Sequence, residues 1–186
     1  LYESNNSHPK VNETNNTAYD DSFFSYLTSK LLHTHGFIHG IDFYGSFSCW
    51  DTYRSQHPLL TLTAPEHVND FIKSIAAKTK HYGWLPAQHF LNVFGESMVG
   101  DHLIPVIVDA YMKGFRDFDV KFLYEEMKRK ALENPTEPRL AHAGRSGLDY
   151  YIKLGYTPVD KVTESVPNTL ELDYDDGVIV WINGME

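Results

Sequence analysis

The sequence predicts an all-α fold, and three observations carry that expectation. Apolar residues recur at helical spacing, glycines and prolines punctuate the segments that carry them, and one almost wholly apolar segment alternates with amphipathic ones. With 186 residues, 42% hydrophobic and 14% aromatic, the chain is long enough to build one domain around a real core.

Residues 1–18 read as a polar, exposed segment. Tyr19 to His35 then places Phe23, Phe24, Leu27, Leu31 and Leu32 on one helical stripe. Gly36, Gly40 and Gly45 break the chain into a loop that holds the Trp50-Asp51 motif. Pro65-Glu66 opens the next helix, whose buried face is Val68, Phe71, Ile72, Ile75 and Ala76 and whose stop is Gly83. A third helix runs from about Val99 to Lys113 and ends at Gly114. Its stretch Leu103 to Val108 is apolar almost all round, which suits an inner position among other helices.

Asp119 to Asn134 differs in kind. Phe122, Leu123, Met127 and Leu132 line one side, while Glu125, Glu126, Lys128, Arg129 and Lys130 are expected to face water. Ser146 with Asp149 resembles a capping box, opening a short helix that stops at Gly155. The last helix begins near Thr163 or Ser165 and carries Leu170, Tyr174 and Val178. Its apolar run Val178 to Ile182 reaches almost to the last residue. Such alternation fits an α/α toroid, a helical bundle or a solenoid.

Composition removes several functions. Sixteen basic against 25 acidic residues give a net charge of −9, which argues against nucleic acid and suits an uncharged ligand such as a sugar. No apolar run approaches the roughly 20 residues that span a bilayer, so no membrane partner is expected. The single Cys49 cannot form an internal disulfide. Acceptor sequons at Asn5, Asn12 and Asn15 favour secretion. The chain has no G-x-S-x-G elbow, Walker loop or dinucleotide fingerprint. Ten histidines raise the question of zinc, but no H-E-x-x-H occurs and His33 and His35 point to different helix faces.

Chemistry concentrates elsewhere. Trp50, Asp51, Tyr53 and Arg54 set an indole, a carboxylate, a phenol and a guanidinium within five positions. An aromatic face covers the C–H side of a sugar ring, and Asp and Arg bind its hydroxyls. The competing reading is a buried Trp beside a local Asp–Arg ion pair.

The window Ser48-x-Trp50-Asp51-x-Tyr53-Arg54-x-x-x-Pro58-Leu59, followed by Pro65-Glu66, resembles the family 92 glycoside hydrolases. Further blocks match in order: Gly83-Trp-Leu-Pro86, Met98-Val-Gly-Asp-His102, Asp109-Ala-Tyr-x-Lys-Gly114, Leu154-Gly-Tyr-x-Pro158, and Thr169-Leu-Glu-x-x-Tyr-Asp-Asp176. The resemblance implies a calcium-dependent exo-α-mannosidase acting on mannose-containing glycans, largely outside the cell. It also implies an (α/α)6 barrel beside a β-sandwich, of which residues 19–186 would supply one part. Two departures stand out: Gly177 replaces a bulky aromatic, and the spacing from Glu96 to Met98 is slightly short.

An inverting glycosidase needs an acid at the leaving oxygen and an ionised carboxylate roughly 6.5–9.5 Å away across the sugar. Glu96, in a Gly-rich loop before the apolar helix, is the expected acid, and Asp175 or Asp176 the expected base, its neighbour orienting water or substrate. Trp50, Asp51, Arg54 and His102 are the expected sugar contacts. Asp101-His102 also reads as a helix-capping pair, and Asp173 beside Asp175 and Asp176 fits a wet helix face equally. The Ca²⁺ would need about six to eight oxygens, but Asp173 to Gly177 lacks the acids an EF-type loop requires at Leu172 and Tyr174. A helical sugar-binding or scaffold module without catalysis stays open as the alternative.

Overall fold

The computed structural model describes residues 49–90, 93–95 and 98–184, all within the unit Phe47–Glu186, one of two into which the chain divides. The polar segment 1–18 with its sequons, the stripe Tyr19 to His35, Gly36, Gly40 and Gly45 of the loop after it, and Glu96 lie outside the described residues; the Trp50-Asp51 motif expected in that loop is helical over Cys49–Thr52.

The described residues are helical, as the sequence predicts. In chain order they form α1 (Cys49–Thr52), α2 (Gln56–Thr63), α3 (Val68–Tyr82), α4 (Leu103–Met112), α5 (Val120–Leu132), α6 (Leu148–Leu154) and α7 (Ser165–Asn183). Pro65–His67 makes a single 3₁₀ turn ahead of α3, so Pro65 opens the turn and not the helix itself. One small antiparallel ribbon, β1 (Gln88–Phe90) and β2 (Val93–Gly95), pairs His89 with Phe94. Three residues per strand are too few for periodicity to register.

Helix ends follow local chemistry. Gly83 ends α3 at φ 79°, its N–H bonding to the Thr79 carbonyl at 2.8 Å. Asp119 caps α5 by accepting the Phe122 N–H at 3.1 Å. The expected capping box at α6 does not form. Gly147, which has no side chain to offer a bond, takes the N-cap position at φ 70°, where an added Cβ would run into Val162.

α4 is the inner helix. Every residue from Leu103 to Val108 is buried, with α3, α5 and α7 supplying Ile72, Ile75, Leu123, Met127, Ile179 and Ile182 to the same core. Each such side chain contributes about 1.5–3 kcal/mol by leaving water. Two faces differ from expectation. On α5, Lys130 is buried, since it shares the stripe of Leu123 and Met127 at heptad spacing. On α7 the buried stripe is Asn168, Leu172, Asp175, Ile179 and Ile182, whereas Leu170 and Tyr174 are exposed. Two polar residues on the true stripe disguised it.

Candidate active site

Asp101 sits just before α4, where its carboxylate is almost sealed from water. Burial alone would push this carboxyl up, but Lys130 and Arg145 together outweigh it and hold it below the usual range. Oδ1 lies 3.2 Å from Lys130 Nζ and Oδ2 accepts from Arg145 Nε at 2.6 Å. Two cations on one buried carboxylate satisfy the condition under which such a charge is tolerated.

Asp175 approaches from α7. Its Oδ2 accepts the Asp101 backbone N–H at 2.5 Å and its Oδ1 meets His102 Nδ1 at 3.2 Å. The residue is 0% exposed, and burial raises its pKa, with the His102 bond opposing. His102 is also buried, and its Nε2 lies 3.3 Å from Glu171 Oε2, one turn before Asp175. The Asp101-His102 pair therefore does not cap α4 by a side-chain bond. It ties α4 to α7 instead.

Adjacent helical residues point about 100° apart, and Asp176 accordingly turns from Asp175 toward Arg145. Its Oδ1 lies 2.8 Å from Arg145 Nη2, an ionic contact whose N–H direction is off the hydrogen-bond line. Its side chain is 27% exposed. Tyr151 of α6 also meets Asp176; burial first, and then this charge, push its hydroxyl up to about 12.

The Trp50 segment reaches the same cluster through Tyr53. That ring stacks on His102 with centroids 4.3 Å apart and planes 13° apart, and Tyr174 leans against it at 5.8 Å. Arg54 lies over both Trp50 and Tyr53, at 5.6 and 5.7 Å from the ring centroids. Asp51 and Arg54 are exposed, and among the described residues no ion pair joins them. Trp50 is half-buried, and its Nε1 has no hydrogen-bond partner among the described residues. The local Asp–Arg pair, the bland account of this motif, is therefore absent.

The structure thus brings together His102 and Asp175, with Trp50 and Arg54 joined to them through Tyr53, whereas Asp176 is linked to them only through Arg145 and Asp101. The sequence reading missed Tyr53 as the link, Glu171, Lys130 and Arg145. Glu171 carried a signal in its i, i+4 spacing to Asp175; Arg145, in an irregular segment, carried none.

The carboxylates test poorly as a cation site. Both oxygens of Asp175 and of Asp101 are already engaged, as is Oδ1 of Asp176. Among the described residues no three His, Cys, Asp or Glu side chains converge on one point, so these residues alone do not fit calcium.

Residues 1–182 match the Glycosyl hydrolase family 92 catalytic domain. Comparison with curated proteins gives no match. Among solved structures, the chain is similar to a family GH92 inverting mannosidase from Bacteroides thetaiotaomicron, at 35% identity and TM-score 0.61, over 69% of this chain and 17% of that one. It is also similar to a family GH92 α-mannosidase of that organism in complex with mannoimidazole, at 34% identity and TM-score 0.59, over 70% of this chain and 16% of the other. The chain spans about a sixth of the length of these relatives. With nearly its whole length matched to that domain and these likenesses above one-third identity, the chain belongs to glycosyl hydrolase family 92.

Proposed function

We propose that the protein containing this chain removes terminal α-linked mannose from glycans as an inverting glycoside hydrolase. The observation that carries the reading is the stack of Tyr53 on His102, which sets the Trp50 motif against the helix bearing Glu171, Asp175 and Asp176. The aromatic faces of Tyr53 and Tyr174 and the part-exposed carboxylate of Glu171 then meet around His102, the mixture a sugar subsite requires.

In this reading Glu96 protonates the leaving glycosidic oxygen. A water attacks the anomeric carbon from the opposite face, and a carboxylate takes its proton. Asp176 suits that role, since its side chain is partly exposed and only Oδ1 is held by Arg145. Asp175, sealed and doubly bonded, orients His102 instead. Trp50, Asp51 and Arg54 contact the sugar, with His102 close behind them. The calcium that the family implies would need oxygen donors besides these carboxylates. The three N-terminal sequons support secretion.

Full-length protein given an α-mannoside should release the β-anomer first, seen by proton NMR. Asp176→Asn should lower kcat by about 10²–10⁴-fold. Release of the α-anomer first would overturn inversion, and parental kcat in Asp176→Asn would overturn the choice of base. Binding of mannoimidazole with no turnover at all would favour the sugar-binding module.

A further inference from the structure

Arg145 stands out among the groups that the proposed chemistry does not use. Its side chain is 1% exposed, yet its guanidinium lies between two carboxylates of different character. Nε donates to the buried Asp101 at 2.6 Å, and Nη2 lies 2.8 Å from the part-exposed Asp176. Neither Nη2 nor Asp176 Oδ1 has a hydrogen-bond partner among the described residues, so the 2.8 Å ionic contact is the interaction that each of these buried atoms has.

Its surroundings fix it to an unusual degree. Asn134 accepts the Arg145 backbone N–H at 2.7 Å and donates to its carbonyl at 3.3 Å, clamping the residue from both sides. Two residues earlier, the Ala143 carbonyl accepts from both Trp84 Nε1 and Lys130 Nζ, each at 2.8 Å. Gly144 lies so close to Asn134 that a Cβ there would collide with it. Nη1 reaches the Ala131 carbonyl at 3.4 Å. Lys130 already compensates the charge on Asp101. A second cation held this rigidly is more than neutralisation of Asp101 needs, and its Nη2 end lies against Asp176.

We propose that Arg145 is a positioning residue, which holds the Asp176 carboxylate in its working orientation by bridging it to the buried Asp101. This rests on the reading of Asp176 as the base. The planar guanidinium suits the task, because its fork reaches two carboxylates from one fixed plane, whereas an ammonium is a single point charge. Arg145 touches no substrate and acts only through Asp176.

The test is a double-mutant cycle in the full-length protein with an aryl α-mannoside. Arg145→Lys keeps a charge for Asp101 and loses the second arm. It should lower kcat by about 10–100-fold, the scale of a misplaced catalytic group, and leave KM and mannoimidazole binding within about twofold. In an Asp176→Asn background the same substitution should cost nothing further, since its target is gone. Asn134→Ala, which loosens the clamp from an exposed position, should give a smaller loss that also vanishes on that background; it carries the test if Arg145→Lys does not fold. A folded Arg145→Lys enzyme with parental kcat, or a loss that persists undiminished beside Asp176→Asn, would overturn the proposal. Parental kcat in Asp176→Asn alone would instead overturn the assignment of the base on which the proposal rests.

Discussion

Gly100 shows how tightly the cluster is fitted. It adopts φ 87°, and a Cβ there would lie 2.7 Å from His102 Nε2 and 3.0 Å from Cβ of Glu171. Gly100→Ala therefore combines backbone strain with a collision, and should destabilise the protein by about 2 kcal/mol or more. Urea unfolding of full-length protein measures this, and an unchanged midpoint would contradict the geometry. Asp175 gives a prediction with a sign. Its folded pKa is raised, chiefly by burial, so its contribution to stability is present below the ordinary carboxylate value and is lost as pH rises through the raised one. Asp175→Asn carries no such charge. Its stability relative to the parent should thus improve between pH 4 and pH 7.5 in paired urea melts, and a constant offset would count against it. Asp101 is lowered and acts in the opposite sense, losing its contribution as pH falls, but it is common to both proteins. At this scale the sequence revealed Asp175, Asp176 and His102 as chemistry and hid Lys130 and Arg145. A buried cation is visible only once its partner is known, and Asp101 lies 29 residues from one and 44 from the other.

Helix existence was legible at the scale of elements because 3.6-residue periodicity is local. α3 and the inner helix α4 lie within the expected bounds, and Gly83 and Gly114 stop them in the left-handed region. Facing was less legible on α7. It has a second apolar row, Val166, Leu170, Tyr174 and Trp181, on the side away from its buried stripe, and Leu170 is 64% exposed. At Gly177 the helix continues unbroken, and an added Cβ would meet nothing within 4 Å, so the missing aromatic leaves room and not strain. A two-faced helix of this kind is what a position between helix layers needs. Leu170→Asp should accordingly be near neutral in the isolated chain. In the full-length protein it should cost about 2 kcal/mol or more if the row is covered there. Thermal melts of both pairs check this; equal and small losses would leave the row facing water in the whole protein.

The described residues carry their main hydrophobic core around α4, with a small second cluster of Trp84, Leu140 and Ala143, and the polar cluster lies at the N-terminal end of α4. Catalysis by the whole protein would draw on Glu96 and on calcium donors beyond this set, so a chelator should abolish turnover by the full-length enzyme and leave the melting of the isolated chain unchanged. Chelator-resistant hydrolysis would remove calcium from the proposal. The sequence by itself determined the helical class, the order of the blocks that mark the family, and the acids worth attention. Those properties depend on residue type and short-range spacing. Only the tertiary structure decided which acid is sealed and which is part exposed, and that Tyr53, Lys130 and Arg145 belong to the cluster. Such facts arise where α4, α5, α7 and the segment before α6 meet, because burial and charge pairing are set by neighbours distant along the chain.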